Sequence, residues 1–148
     1  GYGRQARADL PPARFSRDFK EVHRFYQGAL QSRAEFALNV WATAEGSSIQ
    51  WGWRALRLHD GKADGQEGMI DLPDPVAGEL HAVVQGLADL RRRIERASRK
   101  PNEFTVEVRC STDLATAVRA AQPVSDLVQA WQAESRLWGA VDLLLVEA

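Results

Sequence analysis

The chain is poor in sulfur: its 148 residues include one cysteine, Cys110, and one methionine. A lone cysteine excludes an internal disulfide and any cysteine-rich zinc site, and it fits a reducing, intracellular and cytoplasmic setting. The three histidines, His23, His59 and His81, show no metal-ligand spacing. No apolar run approaches the roughly 20 residues that a membrane-crossing helix needs, and no charged-then-apolar leader opens the sequence, so no membrane partner is expected. Net charge is nearly absent too, at −1. No global field therefore draws the chain to nucleic acid, and any such attraction must be local. A phosphate-binding glycine loop and a nucleophile elbow are also missing. What is present is ordinary for a soluble globular domain: 45% hydrophobic and 26% charged residues, in a chain long enough for a real core.

Residues 1–14 carry Arg4, Arg7 and Arg14 among glycines and prolines and read as a basic arm. Phe15, Phe19, Val22, Tyr26, Ala29 and Leu30 then fall at helical spacing, which predicts an amphipathic helix over 17–33. From Phe36 the pattern alternates, predicting a strand to about Thr43. "AEGSS" is a turn, "IQWGWRALRL" (49–58) a second strand, "HDGKADG" (59–65) a hairpin loop and "EGMIDL" a short third strand. Asp74 as N-cap with Pro75 behind it starts a long helix, predicted from 75 to about 99, with Val76, Leu80, Val83, Leu87, Leu90 and Ile94 as its buried stripe. Residues 104–110 form a fourth strand, 113–120 a short helix, Pro123 opens another helix, and "VDLLLVEA" closes as a buried strand. The expected fold is α/β: a mixed five-stranded sheet, three antiparallel strands then parallel crossovers, with helices against it and an N-terminal helix in front. The expected division is 1–35, arm and amphipathic helix, and 36–148, the sheet domain.

This order brings three acids toward one rim. Glu45 follows the first strand of the meander, Glu79 lies one turn into the long helix, and Asp113 follows the fourth strand. Glu45 and Asp113 continue the more polar rows of their strands, and Glu79 leans toward the sheet. Clustered carboxylates repel unless a cation sits between them, and Mg²⁺ or Mn²⁺ suits such hard oxygen ligands. Each acid also has an ordinary reading. Asp113 serves equally as the cap of the helix 113–120, Glu79 as a first-turn helix acid, and Glu45 beside Gly46 as a solvated turn residue.

With these stretches in place the chain resembles the ribonuclease H family over roughly residues 36–148. "AEGSSIQWGW" is similar to the family's Asp-Gly-Ser turn and Gly-Trp-Gly strand, "GELHAVVQGLADL" to its Glu-Leu-x-Ala helix, and "VEVRCSTDLATAV" to its strand ending in Thr-Asp-Ser. The resemblance implies cleavage of the RNA strand of an RNA–DNA hybrid by two metal ions, with Glu45, Glu79 and Asp113 as the catalytic and metal-binding set. It also implies departures. Glu45 stands where the family has Asp, only Glu147 is present to match a fourth acidic position, and helix 17–33 would replace the family's C-terminal helix. "RRRIERASRK" places Arg91, Arg92, Arg93, Arg96, Arg99 and Lys100 with one acid in ten residues. It reads either as a solvated helix end or as a phosphate-contacting ridge. The five tryptophans are expected in the core. The favoured function is a divergent ribonuclease H-like domain that binds nucleic acid or a protein partner with weak or lost catalysis. The alternatives are an active Mg²⁺- or Mn²⁺-dependent nuclease acting on hybrid or DNA, and an architectural subunit of a larger assembly.

Overall fold

The computed structural model describes residues 22–25, 34–120 and 125–145. Strands β2 (Phe36–Glu45), β3 (Ser48–Arg57) and β4 (Ala63–Ile70) form an antiparallel meander. Strands β5 (Thr105–Cys110) and β6 (Ala140–Leu145) extend it in parallel on the other side of β2. These five strands are the mixed sheet that the alternation of the sequence predicts. A sixth, β1 (Val22–Phe25), pairs antiparallel with β6, so the strand order is β1-β6-β5-β2-β3-β4.

β1 corrects the expected helix over 17–33, whose remaining residues lie outside the described ones, as does the basic arm. Val22, His23, Arg24 and Phe25 lie opposite Leu144, Leu143, Asp142 and Val141. The open edge of β6 offers a ladder of partners that four residues of helical spacing cannot match. β4 also begins earlier than expected, leaving residues 58–62 as the connection from β3, and Gly61 takes a positive φ there.

Helix α1 (Pro75–Arg96) lies across one face of the sheet. Asp74 caps it by accepting from the Ala77 amide at 2.9 Å, with Pro75 in the first turn as expected. Its predicted stripe is buried, with Val83 and Leu87 fully so and Val76 partly. Full burial of such a side chain stabilises the fold by about 1.5–3 kcal/mol. The contact is close because of two glycines. A Cβ on Gly78 would lie 2.5 Å from Ile49 Cγ2 and 2.9 Å from Ala42 Cβ, and one on Gly86 2.7 Å from Leu38 Cδ1. Leu38, Val40, Ala42 and Ala44 of β2 therefore face α1, together with Ile49, Trp51, Trp53 and Ala55 of β3, and the residues between them face the other way.

Helix α2 (Thr112–Ala120) follows β5. Helix α3 (Asp126–Ser135) starts three residues beyond Pro123, because the Ser125 side chain caps it through the Val128 amide at 3.2 Å. Leu137, expected on the apolar side of that helix, lies past its end and is exposed, whereas Trp138 is buried. Trp51, Trp53 and Trp131 are buried as expected; Trp41, at 38% exposure, is the exception. No described helix is long and apolar enough to cross a membrane.

Candidate nucleic-acid site

The "CSTD" stretch after β5 divides two jobs between neighbours. Ser111 Oγ accepts from the Leu114 amide at 3.1 Å and so caps α2. The same hydroxyl donates to Glu79 Oε1 at 2.7 Å, tying the start of α2 to the first turns of α1. Asp113 is thereby relieved of capping and stands exposed in the first turn of α2. Its charge reaches Glu79, whose carboxyl is held above the usual range chiefly by burial, with Asp113 adding to the effect and Ser111 opposing it. Cys110 is buried close by, and burial together with the Glu79 charge pushes its thiol well above the usual range. Glu79 and Asp113 therefore converge on one rim of the sheet.

Glu45 does not join them. In the parallel pair, Asn39 of β2 lies opposite Arg109 of β5, so the register carried onward brings Val40 and Ala42 level with Cys110 and Thr112. Glu45 lies three residues beyond Ala42, about 10 Å further at roughly 3.3 Å per residue. It closes the β2–β3 hairpin opposite Ser48, with Gly46 supplying the positive φ (61°) of the two-residue turn. Its place in the strand alternation also puts it on the face away from α1, whereas Glu79 stands on α1. The polar row of β2 and the helix carrying Glu79 are on opposite sides of the sheet, which is why the expected convergence of three acids reduces to two.

The β2 residue that faces the start of α1 is Ala42, whose Cβ lies beneath Gly78, immediately before Glu79. The signal that finds it is a count back from Asp113 along the parallel register rather than the Glu-Gly-Ser resemblance. Among the described residues no group of three or more His, Cys, Asp or Glu is placed to hold a metal ion. Glu147 lies outside the described residues. A two-metal centre needs several carboxylates around both ions, and Glu79 with Asp113 does not meet that requirement.

The basic stretch 91–100 is divided between structural and free cations. Arg91 Nε donates to Glu134 Oε2 at 2.8 Å, joining α1 to α3 through an acid that is 8% exposed. Arg93 pairs with Asp64 of β4 and, at 2.8 Å, with Asp89. Arg99 pairs with Glu103 at 2.6 Å and lies over the Phe104 ring. Arg92 only grazes Asp89, at 3.9 Å. Arg96 and Lys100 are exposed and have no carboxylate partner within 4.0 Å among the described residues, although the Lys100 charge helps Arg99 hold the Glu103 carboxyl below its usual range. His81, which sequence spacing set apart from any metal role, packs edge-on against Trp51 at 4.6 Å.

No protein-family model and no curated protein matches the chain. Solved structures do. The RNase H1 of the halophilic archaeon Halobacterium salinarum NRC-1 is similar over 75% of this chain and 84% of its own, with TM-score 0.50 and 15% identity. LC11-RNase H1, isolated from compost by a metagenomic approach, is similar over 78% and 85%, with TM-score 0.52 and 18% identity. With its antiparallel meander, parallel extension and helix-borne Glu79 beside Asp113, the chain has the ribonuclease H-like fold.

Proposed function

We propose that this ribonuclease H-like domain binds nucleic acid without hydrolysing it. The observation that carries the reading is Ala42: the β2 position beneath Gly78 and level with Thr112, one residue along the chain from Glu79 and from Asp113, holds a methyl group where a two-metal site needs a ligand. Glu79 is already engaged by Ser111 and so braces the junction of α1 and α2, while Asp113 stands exposed beside it. Binding is assigned to the exposed cations at the end of α1, Arg92, Arg96 and Lys100. Arg91, Arg93 and Arg99 are held in ion pairs and support the scaffold instead.

The test is to incubate the protein with labelled RNA–DNA hybrid, duplex DNA and single strands, in Mn²⁺ and in EDTA. Retention without cutting is expected, with affinity falling steeply as salt rises. In the double variant Arg96→Ala/Lys100→Ala the slope of log affinity against log salt should flatten by about 2 if each cation meets one phosphate. Metal-dependent cutting abolished by Asp113→Asn would restore the nuclease reading. Absence of any binding would leave an architectural role.

A further inference from the structure

Trp41 is the tryptophan that the core does not take, and its surroundings make it a platform. It pairs across the hairpin with Gly52, where a Cβ would lie 2.3 Å from Trp41 Cζ2. The indole therefore lies flat across the sheet on the face away from α1, in space that only a glycine leaves, and the residue is 38% exposed. Asn39 and Arg54 are paired on one side of it, and Thr43, Gln50 and Met69 form the row on the other. Glu67 lies opposite Gly52. Met69 is 55% exposed, so two large apolar side chains on this face meet water. Toward β5 the same face is closed, since Glu107, level with Ala37, is buried.

The charges on the open part are unpaired and balanced. Arg54 and Glu67 are exposed, and neither has an oppositely charged partner within 4.0 Å among the described residues. They are diagonal neighbours on β3 and β4, because Arg54 pairs with Gly65 and Gly52 with Glu67. One spare cation beside one spare acid is self-complementary. A two-fold axis through the face sets each Arg54 against the other copy's Glu67, and it brings the two Trp41 and Met69 surfaces together. Tryptophan, methionine and arginine are also the residue types enriched in protein interfaces. A nucleic-acid strand suits the aromatic shelf but not the charges, since Glu45 and Glu67 on this face offset Arg54. With β4 eight residues long, the three strands offer a patch of roughly 14 by 27 Å, at the small end of specific interfaces.

We propose that the open face of the meander binds a second copy of this chain, sheet against sheet, in a two-fold dimer centred on Trp41, with Arg54 of each copy paired to Glu67 of the other. The small patch makes the dimer weak, half-dissociated at roughly tens of micromolar, so dilute protein is monomeric.

Sedimentation of the full chain from about 2 to about 300 µM tests the proposal, with a monomer–dimer equilibrium expected in that range. Trp41→Ser should raise the half-dissociation concentration at least about tenfold. Arg54→Glu and Glu67→Arg should each do the same, because each sets like charges opposite one another. Mixed in equal amounts, those two charge variants should dimerise as well as wild type, since both contacts of the mixed dimer again join opposite charges. A misfolded variant would not be rescued in this way. A chain monomeric throughout, a dimer indifferent to Trp41→Ser, or a mixture no better than its components would each overturn the proposal. So would a labelled single-stranded oligonucleotide that binds wild type and is lost in Trp41→Ser, which would assign the face to nucleic acid.

Discussion

Glu79 shows how much a single side chain's surroundings decide. Its burial against the junction of α1 and α2, with Asp113 nearby, holds its carboxyl above the usual range. In the unfolded chain it titrates normally, so between the two pKa values the native state holds the proton that the unfolded state has lost. Stability therefore falls as pH rises through that window, and the deprotonated acid opposes folding at neutral pH. Glu79→Gln keeps an acceptor for Ser111 and removes the charge. It should raise the melting temperature at pH 7 by a few degrees and erase that part of the decline. Melting curves of both proteins from pH 4 to pH 7 check this; superimposable profiles would contradict it. His81 acts in the opposite direction. Burial lowers its pKa, so its contribution is lost as pH falls below about 6.5. The comparison of variant with wild type separates the two.

At the scale of elements, α1 and its bed on the sheet are the clearest case of sequence fixing structure. The 3.6-residue spacing of Leu80, Val83, Leu87, Leu90 and Ile94 and the Asp74-Pro75 start leave little choice. What spacing does not show is how closely the helix approaches, which Gly86 determines. Ala is the better helix former by about 1 kcal/mol, yet its Cβ would lie 2.7 Å from Leu38 and 3.2 Å from Trp53 Cγ, in a fully packed core. Gly86→Ala should therefore cost about 1–3 kcal/mol, read as a lowered urea midpoint at constant slope. A variant as stable as wild type would mean that Leu38 and the helix yield freely. The same contrast explains the site. Periodicity identified the strands, but parallel register is set by side chains far apart in sequence, so the level of Glu45 against Asp113 was not legible. The cap of α2 was expected at Asp113, which suits the role locally, but the helix starts one residue earlier and the Leu114 amide meets Ser111 instead. β1 was misread because Val22 and Tyr26 fit a helical stripe, whereas what decides a four-residue strand is an open edge 120 residues away in the chain.

For the whole molecule, that edge is the one whose covering matters most. β6 is buried from Ala140 to Leu144, and without β1 its backbone donors and acceptors would face solvent along an apolar strand, a template for pairing with another chain. The far edge, β4, is protected differently: it is mostly exposed and polar, with Gly65 and Gly68 and with Asp64 held by Arg93. The division expected from sequence, an appendage at 1–35 and a domain at 36–148, thus meets a sheet that draws one strand from the appendage. We expect residues 1–14 to be removable with the fold intact, since β1 remains. Removal of 1–34 should instead give a chain that aggregates or fails to melt cooperatively, and its β6 amides should lose their protection from hydrogen exchange. Size-exclusion chromatography and exchange of the two truncations distinguish the cases. If the 35–148 fragment is monomeric and exchanges at β6 as slowly as the full chain, β1 is dispensable and the domain closes at β6 alone.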